Sequence, residues 1–224
     1  MLFKKNVLFK KNVYNLSHLR HFEDYDIGPI QKDEALALYA LVRAVDPKTI
    51  VEFGFFKGHS AINFLDAMSS DAKLYSYDIA EQSMKFAQKI RDKRFKFIFK
   101  SQAEFEFSDV NNRYVDLVFF DASHDLQLNV LTFEKIERFL TERALVVVHD
   151  TGTWHGDLRG IRTPKGHFLD ESAGSGYIHQ PGERKFVNYI KAEMKDFDQI
   201  HLHCTSKFRH GLTILQRNVG FLSL

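Results

Sequence analysis

The chain alternates short apolar runs with longer stretches of helical spacing. Over residues 31–45 the apolar side chains fall at Leu36, Tyr39, Ala40, Leu41 and Val42, which predicts a helix closed by Pro47. Five strand-length apolar runs follow, at 49–53, 73–77, 95–99, 115–120 and 144–149. Val115-Asp116-Leu117-Val118-Phe119-Phe120 is nearly all apolar, as a strand covered on both faces must be. Helical segments at 60–68, 81–91 and 129–140 separate the runs. Such strand–helix alternation implies a parallel sheet with helices on both sides.

The last third breaks this rhythm. Residues 151–184 show no periodicity and contain Gly152, Gly156, Gly160, Gly166, Gly174, Gly176 and Gly182. The stretch follows a strand directly and carries Trp154, His155, Asp157, Arg159, Arg162, His167 and Asp170, so it reads as a substrate lid. A helix at 184–194 and two closing strands at 199–204 and 211–216, an antiparallel pair, complete the pattern. The expected fold is α/β: a Rossmann-like, doubly wound sheet of seven strands, mostly parallel with one antiparallel strand near the C-terminus, and helices on both faces. It occupies residues 28–224. An arm at 1–27 precedes it, in which Phe3-Lys4-Lys5-Asn6-Val7 recurs as Phe9-Lys10-Lys11-Asn12-Val13. Two copies cannot stack into a repeat array, so a loosely docked arm is expected.

Composition narrows the class. The 224 residues, 44% of them hydrophobic, suit one domain with a sizeable core. A net charge of +2 gives no push toward nucleic acid, and the basic run Lys85, Lys89, Arg91, Lys93, Arg94, Lys96 and Lys100 reads as a solvated face, so no nucleic-acid partner is expected. The single cysteine, Cys204, excludes an internal disulfide and reads as a core residue. No apolar run reaches the ~20 residues of a membrane span, and the N-terminal region lacks the apolar core of a signal peptide. A cytoplasmic protein with no membrane partner is expected.

The densest chemical signal is Glu52-Phe53-Gly54-Phe55-Phe56-Lys57-Gly58-His59-Ser60, a strand running through a glycine turn into a helix. Such a turn lets a ligand lie on bare backbone beside a helix N-terminus. The run 74–77 then ends in Asp78, placed to take ribose hydroxyls. The spacing is not the G-x-G-x-x-G of dinucleotide folds, and Phe55 and Phe56 crowd the space a diphosphate needs, which disfavours a nicotinamide dehydrogenase. A carboxylate before the turn suits an ammonium group, and a hydroxyl at the helix start suits a carboxylate. Amine, carboxylate and ribose occur together in S-adenosylmethionine.

Further polar residues sit where strands end, the ligand-binding edge of such sheets. Asp121-Ala122-Ser123-His124-Asp125 follows one strand, and His149-Asp150-Thr151 closes another. Asp121 and Asp150 could hold a magnesium-type cation between them. His124, three residues after Asp121, can point into the same pocket and remove a proton near its ordinary pKa of ~6.5. His149 reads either as a further ligand or as a packed, hydrogen-bonded residue.

Taken in order, the 52–60 turn, Tyr77-Asp78, Phe120-Asp121-Ala122-Ser123-His124 and Val148-His149-Asp150-Thr151 resemble the class I S-adenosylmethionine-dependent methyltransferases. The nearest likeness is to O-methyltransferases of the catechol and caffeoyl-coenzyme A type and to bacterial relatives that modify sugars and antibiotics. The resemblance implies that Glu52, Gly54 and Gly58 lie by the methionine end of the cofactor, with Ser60 on its carboxylate. It places Asp78 on the ribose, Gln102 on the adenine, Asp121 beside the cofactor and Asp121 with Asp150 at metal-ligand positions. His124 stands where catechol-type enzymes carry a catalytic lysine. Thr151 stands where metal-binding members carry asparagine, which leaves either His149 to complete a Mg2+ site or no metal at all. The expected activity is methyl transfer to a hydroxyl of a small molecule or sugar, in a possible homodimer. N-methylation, or cofactor binding without catalysis, is the alternative.

Overall fold

The computed structural model describes residues 17–20, 30–151, 181–194, 196–202 and 211–218. The repeated N-terminal segment, most of the expected lid and Cys204 lie outside them. The described chain forms one seven-stranded sheet. Its strands are β1 (Thr49–Phe53), β2 (Lys73–Asp78), β3 (Phe95–Phe99), β4 (Val115–Phe120), β5 (Leu140–His149), β6 (Phe197–Leu202) and β7 (Leu212–Arg217). The helices are α1 (Lys32–Val45), α2 (His59–Ala67), α3 (Glu81–Ala87), α4 (Leu126–Ile136) and α5 (Pro181–Glu193).

The spatial order is β3-β2-β1-β4-β5-β7-β6. The first five strands pair in parallel, and β7 runs antiparallel to both β5 and β6. The expected fold, with its single reversed strand, is therefore the observed one. Alternate residues of the central strands supply two cores. Val51, Phe53, Val118, Phe120, Val146 and Val148 face one side, which Phe133 and Ile136 of α4 and Phe186 and Ile190 of α5 cover. Ile50, Leu117, Phe119, Leu145 and Val147 face the other, covered by Leu38 and Val42 of α1 and Phe64 of α2. Period-two alternation of residues that are apolar on both faces is what buries both sides of the sheet.

Several boundaries differ by a few residues from the sequence expectation, among them those of β5 and α3. β5 begins at Leu140, where Thr141, Glu142 and Arg143 extend the strand beyond its apolar part after a register shift between Val115 and Leu117 of β4. α3 stops at Ala87 because the N–H groups of Lys89 and Ile90 bond the carbonyls of Phe86 and Ala87, closing tight turns in place of helix.

Part of the basic run is structural. Arg94 pairs with Asp92 at 2.6 Å and donates to the carbonyls of Leu65 (2.8 Å) and Met68 (2.9 Å), satisfying the open end of α2. Arg94→Ala is expected to cost about 1–3 kcal/mol, because it strands those carbonyls and Asp92 together. A lowered urea midpoint with an unchanged slope is the readout.

The chain winds from β1 outward to β3 and returns to β4 on the opposite side of β1. Such a reversal opens a crevice at the carboxyl ends of the two strands.

Candidate active site

A cavity of about 600 Å3 lies in that crevice, and Gly54, Asp78, Gln102, Asp121, His124 and Asp150 are among the residues lining it. The turn after β1 forms its floor. Gly54 takes φ +100°, and a Cβ there would lie 2.2 Å from the Asp121 carbonyl oxygen, so only glycine lets this turn press against the exit of β4. Gly58, the N-cap of α2 at φ +78°, has no room for a Cβ beside the Phe55 ring. Phe55 is buried, with its ring against those of Phe95 and Phe97, while Phe56 is half-exposed at the cavity edge.

Glu52 is fully buried and accepts hydrogen bonds from the hydroxyls of Ser60 and Ser76. Burial pushes its pKa up to about 8, against the pull of those two hydroxyls. Ser60 lines the cavity; Glu52 stands behind it and ties the start of α2 to β2.

Asp78 at the end of β2 organises the turn. Its Oδ2 accepts the N–H groups of Phe56 (2.8 Å) and Phe55 (3.2 Å) and the Ser83 hydroxyl (2.8 Å), while among the described residues Oδ1 accepts only the Ala80 N–H (2.8 Å). A carboxylate oxygen has capacity for about two donors, so Oδ1 can take one more. Gln102 shows a complementary arrangement. Its Nε2 donates to Asn129 Oδ1 (2.9 Å) and Thr132 Oγ1 (3.1 Å). Both must act as acceptors, since Asn129 Nδ2 donates to the Ser123 carbonyl and Thr132 Oγ1 to that of Leu128. The amide orientation of Gln102 follows, and its Oε1 is left buried without a hydrogen-bond partner. A ligand N–H is what such an acceptor lacks.

At the ends of β4 and β5 the polar residues form a charge cluster around His149, which is 1% exposed. Its Nδ1 lies 2.8 Å from Asp121 Oδ1 and 3.4 Å from Asp150 Oδ1, and its Nε2 lies 3.0 Å from Glu34 Oε2 on α1. A ring with carboxylates at both nitrogens donates twice only as an imidazolium. Burial pushes its pKa down, but the carboxylates of Asp121, Asp150 and Glu34 outweigh that and hold it well above the ordinary value. Asp121, His149 and Asp150 each offer a ligand atom within 4.8 Å of the others. Asp150 adopts φ +56°, a left-handed backbone that a non-glycine residue holds only where its surroundings impose it. Thr151, fully buried, accepts the Thr213 hydroxyl at 2.9 Å; it belongs to the packing between β5 and β7 and not to the cavity wall.

His124 stands on the turn after β4 with a side chain 61% exposed, and its Nδ1 bonds the carboxylate of Glu183 on α5. That bond, more than burial opposes it, raises its pKa from the ordinary value to about 9. The neighbours of Glu183 hold the same corner. A Cβ on Gly182 would fall 1.8 Å from the His124 carbonyl oxygen, and Arg184 Nε donates to the Thr151 carbonyl at 2.8 Å.

The structure thus brings Gly54, Ser60, Asp78, Gln102, Asp121, His124 and Asp150 to one crevice, with Gly58 in the turn between lining residues and Glu52 and His149 bonded to wall residues from behind. Sequence reasoning misses Glu34, Glu183 and Arg184. Each reads as an ordinary charged residue in a helical first turn, and no local motif links it to a strand end over 100 or 50 positions away in the order of the chain.

Residues 51–151 match the model of a family described as a methyltransferase domain. No curated protein matches the sequence. Among solved structures, the chain is similar to an O-methyltransferase from Bacillus cereus in complex with SAH, with 18% identity, a TM-score of 0.63, and 84% of this chain and 82% of that one covered. It is also similar to the O-methyltransferase TomG from Streptomyces achromogenes, involved in tomaymycin synthesis and in complex with SAM, with 17% identity, a TM-score of 0.59 and coverage of 84% and 81%. A third is the SAH-bound methyltransferase PaMTH1 of Podospora anserina, with 16% identity, a TM-score of 0.61 and coverage of 83% and 78%. Sheet order and coverage agree: the chain shares the fold of these methyltransferase structures, and within it residues 51–151 match the methyltransferase-domain family.

Proposed function

We propose that this protein transfers the methyl group of S-adenosylmethionine to a hydroxyl of a small molecule or sugar, with His124 taking the proton. The observation that carries the reading is the crevice lined together by the Gly54 turn, Asp78, Gln102 with its orphaned oxygen, Asp121, Asp150 and His124. Bound there, S-adenosylmethionine supplies a methyl carbon made electrophilic by its sulfonium. Gly54 would offer it bare backbone, Asp78 Oδ1 would accept from a ribose hydroxyl, and Gln102 Oε1 would accept from the adenine amino group. Ser60 and Glu52 support the methionine end. The chain's main task is then alignment of the acceptor oxygen with the methyl carbon, which can supply several kcal/mol of the barrier.

The nucleophile must also be formed. His124 Nε2 faces away from the Glu183-bound nitrogen and takes the acceptor proton. An ordinary histidine would do so near neutrality; the raised pKa of His124 means that its free-base form grows as pH rises toward about 9. The carboxylates of Asp121 and Asp150 would hold a divalent cation such as Mg2+, His149 joining them only once its ring had lost a proton, and a cation there would acidify the acceptor hydroxyl. The similar O-methyltransferases favour oxygen as the acceptor atom, and the lone cysteine favours a reducing, cytoplasmic setting.

Calorimetric titration with S-adenosylmethionine, with and without Mg2+, tests the reading. Micromolar binding is expected, and its absence rejects the cofactor. Binding or turnover that strengthens with Mg2+ supports a metal at Asp121 and Asp150; indifference leaves proton transfer to His124 alone.

A further inference from the structure

We propose that Glu183 is the positioning residue for His124: its carboxylate holds the imidazole by Nδ1 and so presents Nε2, with its lone pair, to the acceptor hydroxyl. The inference rests on the reading of His124 as proton acceptor and adds to it a partner from the other end of the chain.

Three features of the geometry support it. First, Glu183 is 4% exposed and gives one oxygen to His124, while the other, Oε2, is buried without a hydrogen-bond partner. A buried carboxylate with a single side-chain partner depends on that partner for its charge balance. Second, the arrangement is seated by backbone. The tight approach of Gly182 to the His124 carbonyl and the bond from Arg184 to the Thr151 carbonyl fix the first turn of α5 against both strand ends. Glu183, between them, has little freedom to aim elsewhere. Third, His124 is mostly exposed, so on its own it would sample several rotamers; the buried carboxylate removes that freedom.

The reaction balances with Glu183 unchanged. The acceptor O–H proton passes to His124 Nε2, the oxygen electron pair forms the bond to the methyl carbon, and the pair of the broken S–CH3 bond returns to sulfur. The charged groups facing His124 are Glu183 from α5, Asp121 from the end of β4 and Asp150 from the end of β5. All three are acids. The first acts through a direct hydrogen bond and is the largest influence; the other two act at longer range.

The test is a pH titration of the full chain labelled with 15N-histidine, the His124 resonance being assigned by its loss in His124→Gln. In the wild type the midpoint is expected at about 9, with the proton of the neutral ring on Nδ1. In Glu183→Gln the midpoint should fall toward the ordinary ~6.5. Glu183→Asp, which keeps the charge but withdraws it by one methylene, should lie between and serves as well if the glutamine variant does not fold. A midpoint and tautomer unchanged in both variants overturn the proposal. That result leaves the base reading intact, whereas undiminished methyl transfer by His124→Ala rejects the base reading itself.

Discussion

His149→Ala is expected to destabilise the fold by about 3–5 kcal/mol, the range for removing one partner of a buried ion pair. The imidazolium balances Glu34, Asp121 and Asp150, and without it the buried Glu34 is stranded beside two carboxylates at the crevice wall. The pH dependence has a definite sign. A histidine whose folded pKa is raised contributes fully below its unfolded value near ~6.5, and the contribution is lost as pH rises through the folded value. The wild type should therefore lose stability on the alkaline side. The variant should recover stability as pH falls, because protonation neutralises the stranded carboxylates. Urea denaturation of both proteins from pH 5 to 9 reads this directly; a variant within 1 kcal/mol of the wild type at pH 7 would mean that the cluster is hydrated and carries no net imbalance.

His124→Ala is expected to lower turnover by about 100- to 10,000-fold while leaving S-adenosylmethionine affinity within about twofold. The separation follows from placement. His124 lines the crevice from the turn after β4, whereas the cofactor contacts proposed above fall on Gly54, Asp78 and Gln102. In the wild type the ascending limb of the rate profile should have its midpoint near 9, since only the unprotonated ring accepts a proton. Steady-state kinetics beside calorimetry separates the two effects. An unchanged rate removes His124 from the mechanism, and a rate lost in proportion to cofactor affinity reassigns it to binding.

The central strands and the glycine turn are legible because their signals are local. Ile50, Leu117 and Val147 alternate with Val51, Val118 and Val148, and each strand announces itself within six residues. The strand-end positions of Asp78, Asp121 and Asp150 follow once those strands are placed. What stays hidden depends on contacts between distant positions. Glu34 and His149, or His124 and Glu183, meet only after the sheet has ordered its strands, and nothing beside either residue marks the pairing. The role of Glu52 is similar: in sequence it is a carboxylate before a turn, and only burial with Ser60 and Ser76 shows it to be a joint between β1, β2 and α2. Boundaries fail for a different reason, since the polar Thr141, Glu142 and Arg143 fall in the register shift between the paired Leu140 and Leu145, where no apolar pattern marks the strand.

The bond from Arg184 to the Thr151 carbonyl also bears on how this chain can change over generations. It ties the end of β5 to the first turn of α5, so the described residues on either side of positions 152–180 are held together. For a loop closed in this way, doubling its length costs only about 0.6 kcal/mol. Insertions, deletions and wholesale exchange of that stretch are thermodynamically cheap, while the strand ends it departs from and returns to are not.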